Sequence, residues 1–148
     1  EHYIGLISYS GDVTINLPIH KFDARQKAYF CGEVKSLSEA GTTATYDAVL
    51  VGLNMLQEKT QELKESGVEN VKQMMFVLTD GEQNEGYSLD RITPIVAGLQ
   101  VPVYTISYNY LDDNGELEKL SAINEVSALK ASSDDIVNQL RNLFNVEL

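Results

Sequence analysis

The sequence is short of several residue types and segments, and each shortage excludes a class of protein. Its 148 residues include one cysteine, Cys31, so neither an internal disulfide nor a cysteine-rich zinc site is available. The two histidines, His2 and His20, have no motif around them, so a catalytic cysteine would lack its partner. We therefore interpret Cys31 as a small apolar residue. There is no long uncharged apolar segment and no recognisable signal peptide, so we expect no membrane-spanning helix.

Basic residues are also scarce. The chain has 11 Lys and Arg against 22 Asp and Glu, a formal net charge of −11. This excess argues against binding to the nucleic-acid backbone or to an anionic membrane surface, and it fits a cation or a basic partner. The length and the 43% share of hydrophobic residues indicate one globular domain with a sizeable core. Because the chain begins at Glu1 rather than Met, we expect an excised or processed piece.

An apolar run that ends in Thr79-Asp80-Gly81 is the organising feature of the sequence. Residues 74–78 have no polar break, which predicts a central parallel strand buried on both faces. Asp80 would then stand at the carboxyl end of that strand, the edge of an open α/β sheet where ligands bind. The alternative is a strand followed by an ordinary Asp-Gly turn that does no chemistry.

The rest of the chain predicts strands alternating with helices. Residues 2–10 and 13–17 have the pattern of an antiparallel hairpin, with Pro18 at the end of its second strand. The next patterns predict a short helix over 21–28, a second turn over 34–37, and a threonine-capped helix over 44–65 that Gly67 ends. A strand over 72–78 follows, then a helix over 89–99 that Ser88 caps and Pro94 shortens or kinks, and a strand over 101–108. The last part of the chain predicts a polar loop over 109–115, a short helix around 117–123, a short strand over 126–130 and a final helix capped by 132–135. This order indicates an α/β fold: a doubly wound, mostly parallel sheet with helices on both faces and one antiparallel edge strand.

Two oxygen-rich turns, Gly41–Thr43 and Thr79–Gly81, should lie at the same carboxyl edge of this sheet. A hydroxyl and a carboxylate that converge there suit a hard divalent cation such as Mg²⁺, without nitrogen or sulfur ligands. Thr43 also has a simpler interpretation as a helix cap. We interpret the loop acids Glu82 and Glu85 as solvated charges.

Taken together, these stretches resemble the von Willebrand factor type A (vWA) domain family. The stretches that carry the resemblance are Ile4–Ser10 with its hairpin, Gly41–Ala48, Phe76–Gly81, Val103–Ile106 and the final helix. The resemblance covers essentially the whole chain in the family's order. It implies a Rossmann-like fold with a metal-ion-dependent adhesion site for Mg²⁺ or Mn²⁺. By position, Thr43 matches the family's metal-site threonine, with Thr42 as the alternative, and Asp80 matches its metal-site aspartate.

The chain departs from the family in one respect. Family members begin with an apolar strand that ends in Asp-x-Ser-x-Ser and supplies the principal metal ligands, and no such stretch precedes His2 or occurs elsewhere. We therefore expect a single, N-terminally incomplete domain over residues 1–148, whose metal binding is weak or absent. We expect another chain, or an exchanged element of an identical chain, to fill the place of the missing central strand. A further alternative is that the two halves close up and pair directly.

The resemblance implies a metal-ion-dependent protein-binding module, and the missing central strand leads us to expect a homo-oligomer or complex. In such a module an acidic side chain of the partner completes the metal coordination, and there is no chemical step. A metal-dependent hydrolase with Asp80 as metal ligand or nucleophile is an alternative. Against it, the chain shows no second carboxylate at strand-end spacing, no glycine-rich phosphate loop and no paired general base. A structural module with a dead metal site is the third hypothesis.

Overall fold

A computed structural model describes residues 1–37, 43–79, 86–108, 116–124, 128–131 and 138. The helices and strands within these residues are β1 (Tyr3–Tyr9), β2 (Val13–Lys21), α1 (Ala24–Ser36), α2 (Thr45–Glu65), β3 (Met75–Thr79), α3 (Leu89–Leu99), β4 (Val103–Tyr108), α4 (Glu116–Ala122) and β5 (Ala128–Ala131). The predicted loop over 109–115 and the predicted cap over 132–135 lie outside the described residues. None of the described helices combines the length and apolar character that a membrane span requires.

The described strands form two sheets. β1 and β2 pair as the predicted antiparallel hairpin, and the second sheet is parallel with the order β3–β4–β5. This mixture of helices with parallel and antiparallel strands confirms the predicted α/β class. Direct pairing of β1 with β3 is not among the described strand pairs. The chain divides into two compact units, each with one sheet: Glu1–Gln73 with Gln83–Ile92, and Met74–Glu82 with Thr93–Leu148.

In the first unit, β2 continues through Pro18, where the sequence predicts its end. Ile4 lies opposite His20 and Leu6 lies opposite Leu17, so β2 has one extra residue between these two pairs. Pro18 falls within this irregular stretch, where a residue without an N–H need not break a ladder hydrogen bond. The predicted strand end was wrong because a bulge accommodates the proline.

α1 is one helix of 13 residues, so the prediction of a short helix over 21–28 and a separate turn over 34–37 was wrong. Asp23 is its N-cap, and the Asp23 side chain accepts the backbone N–H of Gln26 at 2.8 Å. Gly32 disfavours helix by about 1 kcal/mol, which a capped helix of this length tolerates. The helix buries none of its residues, and the ring of Phe30 packs edge-to-face on Phe22 with centroids 5.9 Å apart.

The prediction for α2 was wrong at its start and is confirmed at its end. Its N-cap is Ala44, which makes no side-chain hydrogen bond to the helix, so the predicted threonine cap was wrong. The predicted stop at Gly67 is confirmed: this residue has φ +99°, and its N–H donates to the Lys64 carbonyl at 3.1 Å. Between these ends, the face that packs inward buries Ala48, Val49, Gly52 and Leu53.

In the second unit, the central strand of the described sheet is β4. Its buried residues include Val103, Tyr104, Thr105 and Ile106. β3 lies at one end of this sheet, where Val77 is buried but Leu78 is 47% exposed. The parallel direction of β3 is confirmed, but the prediction that it is central and buried on both faces was wrong. An apolar run shows which residues can be buried, and it does not identify the neighbouring strands.

Polar contacts join the remaining elements of the second unit. The buried Thr105 hydroxyl on β4 donates to the Leu117 carbonyl on α4 at 3.1 Å. The Asn124 side-chain amide donates to the Val101 carbonyl at 2.6 Å, so the residues after α4 are fixed to the approach to β4. Pro94 lies inside α3, which nevertheless extends to its predicted last residue, Leu99.

Candidate functional site

One of the two predicted metal ligands lies among the described residues. Thr43 is half-buried and stands two residues before α2. Asp80, the first residue after β3, lies outside the described residues, as does the alternative Thr42. Because the N-cap of α2 is Ala44, the interpretation of Thr43 as the helix cap was wrong.

The backbone beside Thr43 is fixed to the end of β1. The N–H of Ala44 donates to the carbonyl of Ser10 at 2.7 Å, and Ser10 directly follows β1. Ala44 is fully buried and Thr45 is 2% exposed, so the start of α2 is packed into the first unit. Thr43 therefore lies in the chain next to a residue held at the carboxyl end of β1.

Asp47, in the first turn of α2, makes a hydrogen bond to a residue far away in sequence. Its Oδ1 accepts the backbone N–H of Tyr87 at 2.7 Å across a separation of 40 residues. A hydrogen bond to an ionised carboxylate is shorter and stronger than one between neutral groups. Asp47 therefore connects the start of α2 to the chain just before α3.

Gly86 provides the space that this carboxylate occupies. A Cβ atom on Gly86 would lie 2.7 Å from both Cγ and Oδ2 of Asp47, closer than real Cβ contacts allow. Gly86 also has φ +82°, a conformation that other L-residues rarely adopt. Both the backbone conformation and the close approach of Asp47 therefore require glycine at this position.

The residues after Gly86 are held by further contacts. The predicted cap of α3 is confirmed, because Ser88 Oγ accepts the Arg91 N–H at 3.4 Å. The Arg91 guanidinium lies over the Tyr87 ring, 5.2 Å from its centroid. The backbone and the ring of Tyr87 are thus contacted from two elements of the first unit.

The sequence analysis did not identify Asp47 and Gly86 as a pair. Asp47 falls within the Gly41–Ala48 stretch that carries the family resemblance, and no sequence pattern singled out Gly86. Gly86 follows Asp80 in sequence, and a glycine in such a place can indicate a backbone position with positive φ. The carboxylate beside it comes from a distant helix, which no local pattern reveals.

The described residues supply oxygen donors but no complete metal site. Within the described part of the chain, no three His, Cys, Asp or Glu side chains form a group that could hold a metal ion. A threonine hydroxyl is a type of ligand that Mg²⁺ accepts, and Asp47 Oδ1 accepts the Tyr87 N–H. This donor chemistry fits a hard cation if Asp80 and water supply the other ligands.

Comparison with known families gives one match over nearly the whole chain. The sequence model of the von Willebrand factor type A domain matches residues 1–145. This range includes Thr43 and Asp80. No curated protein matches the chain at a significant level.

Solved structures show the same fold at low sequence identity. The conserved hypothetical protein BatB from Bacteroides thetaiotaomicron has a TM-score of 0.66 and 14% identity, over 98% of this chain and 78% of that one. Proximal thread matrix protein 1 from the mussel byssus, with a zinc-occupied MIDAS motif, has a TM-score of 0.67 and 16% identity. The match covers 97% of this chain and 34% of the mussel protein, so this chain spans about a third of that protein's length.

Proposed function

The chain belongs to the von Willebrand factor type A domain family, and on that premise we propose that it is a metal-ion-dependent protein-binding module. Thr43 and Asp80 would hold Mg²⁺ or Mn²⁺ together with water. An acidic side chain of a partner protein would complete the coordination, and recognition would involve no chemical step. The observation that carries this proposal is the family match over residues 1–145.

Two further observations support a metal near the start of α2. Thr43 directly precedes Ala44, whose N–H donates to the Ser10 carbonyl beside the carboxyl end of β1. In addition, the structurally similar mussel protein has a MIDAS motif occupied by zinc. Zn²⁺ also accepts oxygen ligands, so we include it among the ions to be tested.

We expect the affinity for Mg²⁺ to be weak. Mg²⁺ takes six oxygen ligands, and the sequence offers Thr43 and Asp80 for two of these places. Water would fill most of the others until a partner supplies a carboxylate. The expected dissociation constant is on the order of millimolar or weaker, by the same coordination argument.

The electron paramagnetic resonance signal of free Mn²⁺ measures such weak binding directly, with Mg²⁺ and Zn²⁺ as competitors. We expect Asp80→Ala and Thr43→Val to reduce Mn²⁺ binding. Matched controls are Asp90→Ala, in the first turn of α3, and Thr14→Val, at an exposed position of β2. Unchanged binding in Asp80→Ala would refute the site. If the unmutated chain binds Mn²⁺ with micromolar affinity and Asp80→Ala abolishes this binding, the expectation of an incomplete ligand set is refuted.

We also propose that β1 pairs with a strand of a second copy or of another chain. Within the described residues, β1 pairs with β2 alone, and all seven of its residues are half-exposed. β1 contains no charged residue and no proline, the features that protect natural sheet edges. Light scattering should therefore detect an oligomer. A monomer at all concentrations that also binds no partner would contradict this proposal.

A further inference from the structure

We propose that Asp47 is a positioning residue for the metal ligands: its carboxylate fixes the start of α2, which follows Thr43, to Gly86 and Tyr87, which follow Asp80 in sequence. The inference rests on the proposed function, because it assigns Asp47 a role toward the same site. Asp47 would not bind the ion itself. Its effect would act through the positions of the backbone segments on either side of the hydrogen bond.

The Asp47 contact is tertiary rather than local to its helix. Asp23 stands beside the start of α1 and accepts the N–H of Gln26, three residues along the same helix. Asp47 stands in the first turn of α2, yet its Oδ1 accepts the N–H of Tyr87, 40 residues away. A role confined to stabilising α2 would not require this distant partner.

Gly86 fits closely against the Asp47 carboxylate. A side chain on Gly86 would collide with the Asp47 carboxylate, and the φ of +82° already disfavours any residue but glycine. The packing therefore complements the hydrogen bond. A surface aspartate that only interacts with a helix dipole would show neither feature.

The contact between Asp47 and the 86–87 segment lies close in sequence to the proposed ligands Thr43 and Asp80. Thr43 precedes Asp47 by about one helical turn, and its neighbour Ala44 is held to Ser10 by a 2.7 Å hydrogen bond. On the other side, Gly86 and Tyr87 follow Asp80 after a short stretch of chain. One carboxylate thus restrains a residue that follows each of the two predicted ligands in sequence. Residues that orient metal ligands typically change metal affinity by about 10- to 100-fold when they are mutated.

The test compares Asp47→Ala and Asp47→Asn with the matched controls Asp23→Ala and Asp23→Asn. Amide hydrogen exchange, followed by NMR, reports the Tyr87 N–H directly, and the Gln26 N–H is the internal reference. We expect the Tyr87 amide to exchange about tenfold faster in Asp47→Ala. Asp47→Asn should restore much of the protection, because the amide oxygen can still accept the bond. The Asp23 variants should change the Gln26 amide and leave Tyr87 unaffected.

The same variants are then titrated with Mn²⁺. We expect a loss of about tenfold in affinity for Asp47→Ala, a smaller loss for Asp47→Asn and none for the Asp23 variants. Unchanged Tyr87 exchange in Asp47→Ala overturns the proposal, and so does faster exchange with unchanged Mn²⁺ affinity. If the unmutated chain binds no Mn²⁺, the proposed function fails and the positioning role toward a metal fails with it, while Tyr87 exchange still shows whether the contact exists. Should Asp47→Ala fail to fold, Asp47→Asn supplies both readouts.

Discussion

Asp23 and Asp47 both lie at the start of a helix in the same unit, Asp23 as the N-cap of α1 and Asp47 in the first turn of α2, but they make different contacts. Asp23 caps α1 through a hydrogen bond to Gln26, within its own helix. Asp47 accepts the N–H of Tyr87, which lies outside its helix, while α2 itself has no side-chain cap. The comparison shows that an acidic residue at a helix start can serve local or tertiary structure, and local sequence does not distinguish the two.

The two helices also differ in burial, and α2 is the more buried one. α1 has no buried residue. α2 buries residues along its inner face, and the residue before it, Ala44, is fully buried. Because surface substitutions rarely change stability much, changes near the start of α2 should have larger effects than matched changes near the start of α1.

The largest effect is expected at Gly86. Gly86→Ala introduces a positive-φ alanine and pushes the Asp47 carboxylate away from Tyr87, so it should lower the free energy of unfolding by about 3 kcal/mol. In contrast, Gly32→Ala in α1 should raise it by roughly 0.5–1 kcal/mol, because a Cβ there meets no atom within 4 Å. Urea denaturation of both variants checks this. Equal and small effects would contradict the tight fit at Gly86.

Removal of the Asp47 carboxylate should have the next largest effect. Asp47→Ala takes away the acceptor of the Tyr87 N–H, which should cost about 1–3 kcal/mol. The midpoint of urea denaturation measures this cost, and a double mutant with Gly86→Ala sharpens it. The two changes disrupt the same contact, so the double mutant should lose less than the sum of the single losses. Strict additivity would argue against a shared contact.

Loss of the α1 cap should have a smaller effect. Asp23→Ala removes a local hydrogen bond on an exposed helix, with an expected cost of about 1 kcal/mol. Far-ultraviolet circular dichroism during thermal unfolding measures this change, and Asp23→Ser, which keeps a capping oxygen, is the control. A loss for Asp23→Ala that exceeds the loss for Asp47→Ala would reverse the comparison between the helix starts.

The smallest effect is expected at the ion pair between Glu1 and Lys21, whose side chains are both exposed and 2.9 Å apart. The hydrogen bond from Lys21 holds the pKa of Glu1 below its usual range, and the bond to Glu1 holds the pKa of Lys21 above its own. Any stabilisation is therefore lost as pH falls through the folded pKa of Glu1 or rises through that of Lys21.

Because solvent screens this exposed pair, Lys21→Met should leave the midpoint of unfolding unchanged within error. NMR titration should show the pKa of Glu1 rising toward its ordinary value in this variant. Lys27→Met, also at an exposed position, is the control for loss of a positive charge. A clear fall in the unfolding midpoint for Lys21→Met alone would contradict the expected screening.

Local signals in the sequence predicted much of the fold. The alternation over 13–17 and the turn before it predicted the hairpin, and Gly67 predicted the end of α2. The predictions that failed depend on neighbours. Pro18 continues a strand because it lies in a bulge of β2, and β3, whose Leu78 is exposed, lies at one end of its described sheet. Register and strand order arise from pairing between distant segments, which an apolar pattern does not encode.

The residues of the candidate site also fall into those that the sequence identified and those that only a contact between distant segments reveals. Resemblance to a family identified Thr43 and Asp80 by their positions in ordered motifs. Asp47 and Gly86 escaped notice because their contact joins two segments of different elements. Each has an ordinary local interpretation, as a helix-start charge and as a turn glycine. Only the fold brings them together.

We propose above all that a divalent cation binds at the start of α2, near Thr43, rather than over the acidic surface in general. NMR line broadening by substoichiometric Mn²⁺ tests this most directly, because the paramagnetic ion broadens the amide signals nearest to it. We predict that the Thr43 amide broadens first, while Gln26, beside the exposed carboxylate of Asp23, keeps a sharp signal. Equal broadening of Thr43 and Gln26 would indicate unspecific binding by a chain of net charge −11, and it would contradict the proposed site.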